Sequence, residues 1–179
     1  GGDETTHFSV LDTAGNRVAG TQSLTSWFGC GYMEPITGVL LNNEMDDFSV
    51  KPGVQNLYQL VGARANAIAP GKRMLSSMSP TILESEQGVA ILGTPGGSRI
   101  ISMVLLATLE WMRGGDAAAM VSLPRFHHQY LPDKLFHEPD AFTAEELAAL
   151  EALGHVPSEV SRFYGNMQVV TWDFATGEV

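Results

Sequence analysis

One cysteine, Cys30, is all the thiol chemistry this chain holds. A lone thiol excludes an internal disulfide and a thiolate zinc site, both of which need partner sulfurs. Cys30 sits between Gly29 and Gly31 with no activating base beside it, so it reads as a free, inert thiol rather than a nucleophile. Basic residues are scarce: 10 Lys and Arg stand against 20 Asp and Glu, a formal charge of −10. Nothing in that balance could neutralise a run of phosphates, which argues against a nucleic-acid partner. Long apolar runs are missing too. Ile100 to Met112 is interrupted by Ser102, Thr108 and Glu110 and cannot span a bilayer. No secretory signal is visible, since Gly1-Gly2-Asp3-Glu4 is acidic and has no apolar core. Internal repeats, low-complexity tracts and the H-E-x-x-H zinc motif are absent as well.

What remains is 179 residues, 44% hydrophobic and 17% charged, enough for one domain with a real core or for part of a larger fold. The first part has strand character. His7 to Asp12 alternates, Thr13-Ala14-Gly15-Asn16 is a turn cluster, and Arg17 to Leu24 is a second strand. Gly38-Val39-Leu40-Leu41 is a short apolar run fit for a buried strand. Residues 51–75, with Pro52-Gly53 and Pro70-Gly71, show no period and have the length of a lid or binding loop. Pro80 to Glu84 and Val89 to Leu92, joined through Ser85-Glu86-Gln87-Gly88, predict a hairpin.

The period then changes. Ile101, Val104, Leu105, Thr108, Leu109 and Met112 fall on one helical face, and Gly114-Gly115 ends that helix. Asp116 is an N-cap for a shorter helix stopped by Pro124. Thr143 and Glu146 form a capping box, with Phe142 stapled to Leu147 and the helix ending at Gly154. Met167 to Phe174 is a closing strand, and Thr176-Gly177 a turn without a following partner, so the C-terminal end reads as truncated. Strands, helices and a final strand predict a layered α+β domain.

Three segments carry more polarity than packing requires. Thr5-Thr6-His7 precedes the first strand. A threonine hydroxyl needs an adjacent base to attack, and the amine of the same residue can serve once it is a chain terminus. From spacing alone, Thr5 is equally a β-favouring residue at a strand start. Thr94-Pro95-Gly96-Gly97-Ser98-Arg99 lies between a strand and the long helix, where glycines and a helix start can receive an oxyanion or simply make a tight turn. Glu44, Asp46 and Asp47, behind Asn42-Asn43, could hold an ammonium group or a metal, or form a solvated loop; they do not match an EF-hand. His127-His128 are adjacent and would point apart on a helix, which favours hydrogen-bonding roles over a shared metal.

Taken in order, these segments resemble the small subunit of γ-glutamyltransferases, a family of N-terminal-nucleophile hydrolases. The resemblance rests on Thr5-Thr6-His7-Phe8-Ser9-Val10, Phe28-Gly29-Cys30-Gly31, and the run from Gly38 through Asn42-Asn43-Glu44-Met45-Asp46-Asp47-Phe48. It continues through Lys72 to Thr81 with its Ser76-Ser77-Met78-Ser79-Pro80 block, Gly93 to Ile100, and Pro124-Arg125-Phe126-His127-His128-Gln129. It covers Thr5 to about Phe174.

The resemblance implies part of a four-layer αββα sandwich, incomplete without a large subunit cut from the same precursor. Residues 1–4 would be a remnant ahead of the cleavage point, and 5–179 the small-subunit catalytic domain. It implies autocatalytic cleavage of the Glu4–Thr5 bond, then γ-glutamyl transfer and hydrolysis through an acyl-enzyme on Thr5. The donor would be a small γ-glutamyl amide such as glutathione, and the acceptor an amino acid, a dipeptide or water. Gly96 and Gly97 would supply the oxyanion hole, Glu44 and Asp47 would hold the α-ammonium, and Ser76 with Ser77 the α-carboxylate. Tyr58 stands at the position of a lid tyrosine. Ser23 stands where a threonine bonding the nucleophile is frequent, and Thr25 where a substrate-binding asparagine is. No cofactor or metal is implied, and the compartment would be periplasmic or extracellular. Rival expectations are a related acylase or poly-γ-glutamate-cleaving enzyme on the same scaffold, or an inactive fragment serving only as an assembly subunit.

Overall fold

A computed structural model describes residues 5–161 and 164–179; the expected precursor remnant, Gly1 to Glu4, lies outside the described residues. In chain order the described elements are β1 (Thr5–Leu11), β2 (Arg17–Ser23), β3 (Thr81–Glu84), β4 (Gly88–Gly93), α1 (Ile100–Met112), α2 (Ala117–Ser122), β5 (Phe126–Gln129), β6 (Lys134–His137), α3 (Ala144–Ala152), β7 (Pro157–Glu159) and β8 (Gln168–Asp173).

β1 and β2 pair antiparallel from Leu11↔Arg17 out to Thr5↔Ser23. Their turn is closed by Asp12, whose Oδ1 accepts from the backbone of Ala14 and Asn16 at 2.9 and 2.8 Å. β4 is the middle strand of a second antiparallel sheet, ordered β3-β4-β8. Its sequence, Gly-Val-Ala-Ile-Leu-Gly, is buried at every position because both faces are covered. On one face lies the β1–β2 hairpin; on the other, Ala90 and Leu92 pack against Ile100, Met103, Val104 and Ala107 of α1 and Met120 of α2. The result is two β layers and one helical layer, an α+β arrangement that makes up three of the four layers expected.

The two β layers are joined by polar contacts as well as apolar ones. His7 is 5% exposed and lies against Gly93, where any side chain would overlap its ring. Ser9 Oγ donates to the Ile91 carbonyl at 2.9 Å and so accepts from His7 Nε2 at 3.2 Å. His7 Nδ1 then accepts from Thr21 Oγ1 at 2.6 Å. This is a fully satisfied neutral imidazole, and burial lowers its pKa accordingly.

The helix signals in the sequence agree with the structure at their ends. Asp116 caps α2, accepting from the Ala119 N–H at 2.8 Å. Both halves of the Thr143–Glu146 capping box form at the start of α3. Two expectations need correction. Gly38 to Leu41 is not a buried strand: it contributes one isolated bridge, Met33↔Leu40, and Val39 and Leu41 are exposed. Among the described residues it pairs only with residues 30–34, through bonds from Glu34 N to Val39 O, Leu41 N to Tyr32 O and Cys30 N to Leu41 O, and Gly38 at φ 70° turns the chain. In α1 the buried residues are Ile100, Met103, Val104 and Ala107, whereas Ile101, Leu105, Leu109 and Met112 of the expected face are exposed. The helix is apolar on both sides, so periodicity could not tell which side meets β4.

A third sheet was not visible in the sequence. β5 and β6 pair antiparallel, and β7 joins β6 in parallel after α3. Buried Glu138 fastens this sheet to the chain before β8, accepting from the Arg125 and Tyr164 N–H groups at 2.9 Å each.

Candidate active site

Thr5 opens β1 and Ser23 closes β2, and as register partners they bring their hydroxyls to 2.8 Å. Ser23 Oγ also accepts from the Thr25 N–H at 2.9 Å. It thus has a proton to give Thr5 or a second lone pair with which to accept one.

Beyond Ser23 the chain bends sharply. Thr25 lies at φ 71°, a genuine outlier for a β-branched residue, and is 4% exposed. Asn43 holds this bend: its Oδ1 accepts from Ser26 N at 3.0 Å, its Nδ2 donates to Ser26 Oγ at 2.9 Å, and its own N–H donates to the Leu24 carbonyl at 3.2 Å. That clasp sets the acidic turn Glu44–Asp47 beside Thr25. The three carboxylates then separate by role. Asp46 turns away, accepting from the Leu57 N–H at 2.9 Å. Glu44 and Asp47 face the cleft that contains Thr5.

Burial, a hydrogen bond with Glu44, and the charges of Glu44 and Asp46 push the Asp47 carboxyl up to about 7. Glu44 Oε1 and Thr25 Oγ1 are both buried without a hydrogen-bond partner among the described residues. Orphaned buried acceptors next to a proton-sharing carboxyl pair form a ready seat for a cation with several N–H donors.

The glycine turn closes another side. Gly96 at φ 145° and Gly97 at φ 59° occupy conformations that other residues rarely adopt, and a single tight turn, Gly97–Arg99, leads into α1. Fully buried Thr94 fixes its approach, donating to the Pro95 carbonyl at 2.9 Å and accepting from Asn166 N at 3.0 Å. Gly97 lines the cleft, whereas Gly96 backs onto Met103 and does not.

Tyr58, Ser76 and Ser77 complete the lining. The Tyr58 ring lies over Gly97, and its hydroxyl donates to the Thr25 carbonyl at 3.5 Å. Burial, followed by the charges of Asp47, Glu44 and Asp46, raises the Tyr58 pKa and keeps the phenol a neutral donor. The Tyr58 ring thus walls the cleft on the side of the glycine turn.

Thr5, Ser23, Thr25, Glu44, Asp47, Tyr58, Ser76, Ser77 and Gly97 therefore meet in one place although 92 positions separate the first from the last. Met78 and Ile100 also line it and were missed. Met78 lies inside the Ser-Ser-Met-Ser-Pro block, which was the available signal; Ile100 gave none beyond its place after the glycines. His127 and His128 sit on a strand rather than a helix, so one is buried and the other is exposed. His128 bonds Asp133 at 2.8 Å, and His127 bonds Ser102 and Gln129, each at 2.8 Å. Among the described residues no three His, Cys, Asp or Glu side chains cluster to hold a metal, and no helix is long and apolar enough to cross a membrane.

Comparison with known proteins bears on all of this. The chain is 50% identical over 154 residues to a glutathione hydrolase proenzyme of Escherichia coli K12, covering 85% of this chain and 26% of that protein. It is 42% identical over 164 residues to scoloptoxin SSD20 of Scolopendra dehaani, covering 89% of this chain and 82% of the toxin. A solved acivicin-inhibited gamma-glutamyltranspeptidase superposes with a TM-score of 0.88 at 41% identity, covering 97% of this chain and 94% of that one. The chain spans about a quarter of the length of the bacterial relative. The gamma-glutamyltranspeptidase family model matches residues 1–179, and the chain belongs to that family.

Proposed function

We propose that this chain carries the nucleophile and the amino-acid-binding half of an enzyme that hydrolyses and transfers γ-glutamyl groups. One observation carries the reading: the Thr5–Ser23 hydroxyl pair opens into the same cleft as the unpartnered Glu44 Oε1 and Thr25 Oγ1. A nucleophile and an ammonium seat in one cleft suit a substrate that is both an amide and an α-amino acid.

In this reading cleavage before Thr5 frees its amine, which titrates near ~8 and can take the hydroxyl proton at neutral pH. Thr5 Oγ1 attacks the γ-carbonyl, and the N–H of Gly97, which lines the cleft, steadies the oxyanion. The C–N bond breaks, the amine of Thr5 returns the proton to the leaving nitrogen, and a γ-glutamyl ester remains on Thr5. Water or the amine of an acceptor then attacks that ester and restores the hydroxyl. Glu44 and Asp47 hold the α-ammonium, Thr25 Oγ1 adds a neutral acceptor, and Ser76 and Ser77 receive the α-carboxylate. Ser23 fixes the orientation of the Thr5 hydroxyl. A large subunit from the same precursor is the proposed partner, completing the carboxylate site and the fourth layer.

The test is Thr5→Ala in the intact protein. Loss of both self-cleavage on a denaturing gel and release of a chromogenic γ-glutamyl anilide is expected, because one hydroxyl serves both acyl transfers. Retained processing would remove Thr5 from the role.

A further inference from the structure

Tyr58, its ring against Gly97, covers part of the cleft that the substrate proposed above would enter. Tyr58 is the part that can yield. It sits on a self-contained turn in which Asn56 Oδ1 accepts from Tyr58 N and Leu60 N at 3.0 Å each and Gln59 is held at φ 62°. Such a turn moves as a unit, so what matters is what ties it to the rest of the molecule.

Few contacts do. Tyr58 OH reaches the Thr25 carbonyl only at 3.5 Å, and the Leu57 N–H bond to Asp46 is exposed to water, where such a bond contributes little. The part-buried tie is Gln129 Nε2, which donates to the Tyr58 carbonyl at 3.0 Å and to the Leu131 carbonyl at 2.5 Å.

Gln129 is itself pinned. Its Oε1 accepts from Ser98 Oγ and from His127 Nε2, both at 2.8 Å. His127 Nδ1 in turn accepts from Ser102 Oγ at 2.8 Å, and burial lowers the His127 pKa, which keeps this neutral tautomer. Ser98 directly follows Gly97. One amide thus joins the Tyr58 turn to the glycine turn and to the first turns of α1.

We infer that Gln129 is a positioning residue that latches Tyr58 over the cleft and keys its closed position to the glycine turn. It touches no reacting atom. Its effect is to hold the tyrosine down while the acyl-enzyme waits for an acceptor, and so to limit access of water. The inference rests on the function proposed above.

Gln129→Glu isolates the latch. The carboxylate still accepts from Ser98 and His127 but cannot donate to Tyr58 or Leu131. In the intact protein, the ratio of hydrolysis to transfer with a γ-glutamyl anilide and a dipeptide acceptor should rise about two- to tenfold, the worth of one such bond. Donor KM should rise more than kcat falls, and amide hydrogen exchange across residues 56–60 should quicken. In a Tyr58→Ala background the same change should leave the ratio unaltered, which a merely structural role would not do. Gln129→Met, apolar and of similar length, should repeat the effect on both readouts if the glutamate variant does not fold. An unchanged ratio and unchanged exchange in a folded variant would overturn the inference, as would an equal shift with Tyr58 removed. If the unaltered protein shows no γ-glutamyl turnover, the functional reading fails, and hydrogen exchange alone still decides whether Gln129 holds the turn.

Discussion

Thr5 and Ser23 stand opposite each other at the open end of the β1–β2 hairpin, hydroxyl to hydroxyl at 2.8 Å. The pairing follows from strand register, and Ser23 is fixed in turn by the Thr25 N–H. Ser23→Ala removes one uncharged hydrogen bond to the oxygen proposed as the nucleophile, worth about 1 kcal/mol. Turnover of a γ-glutamyl anilide should fall about fivefold, and Ser23→Thr should restore it. Undiminished kcat in Ser23→Ala would leave the pair without a part in the chemistry.

Asp47 gives a pH dependence with a definite sign. With the Asp47 carboxyl at about 7, only its ionised form attracts an ammonium group. Donor KM should therefore climb as pH falls below 7, approaching about tenfold per pH unit. Asp47→Asn should be weak and flat across the same range. Stability runs the other way. The folded-state value lies above the ordinary 3.8, so the favourable contribution is complete below that value and is lost as pH rises through about 7. Asp47→Asn should melt higher than the unaltered protein at pH 8 and at the same temperature below about pH 4. Equal melting temperatures at both pH values would show that the carboxylates do not strain the fold.

Thr25 is held in a left-handed conformation that asparagine tolerates and threonine does not. Such strain costs on the order of 1–3 kcal/mol. Thr25→Asn should raise the melting temperature by about 2–4 °C per kcal/mol recovered. Thr25→Val keeps the strain but deletes the orphan hydroxyl, so it should raise donor KM without raising stability. A lower melting temperature in Thr25→Asn would mean that the cleft cannot accommodate the amide.

Gly97→Ala puts a methyl group 2.5 Å from Tyr58 Cε1 at a φ of 59°. It should cost about 1–2 kcal/mol from backbone strain alone and also displace the tyrosine, raising donor KM. Gly31→Ala is the control, with φ 73° and nothing within 4 Å of the added atom. It should lose similar stability and keep its kinetics. Matching kinetic defects in both would point to strain rather than to the Tyr58 contact.

The sequence was most legible where the signal is local. The β1–β2 and β3–β4 hairpins, the Asp116 cap and the Thr143–Glu146 box are each written within a few residues, and each is found. The cleft was legible for a different reason: recognised blocks named residues far apart in the chain, and the fold gathers all of them except Gly96 against one opening. What failed depends on partners. Gly38 to Leu41 has strand composition, but it meets only the short stretch 30–34 and nothing covers Val39 and Leu41 among the described residues. β5 to β7 are three or four residues long, too short for alternation to register. Gln129 ended a recognised block, but nothing in the sequence pointed to its contacts, which come from Tyr58, Ser98, His127 and Leu131.

The buried imidazole of His7 makes β1 a clamped beam. Its grip on Thr21, Ser9 and Gly93 fixes the strand two residues from its first described position. At about 3.3 Å per residue the overhang to Thr5 is only about 7 Å. The tip of a beam that short deflects very little, the more so because Thr5 and Thr6 are paired with Ser23 and Gln22 of β2. The Thr5 hydroxyl is therefore held in one geometry by the strand itself, which suits the two successive acyl transfers proposed for it.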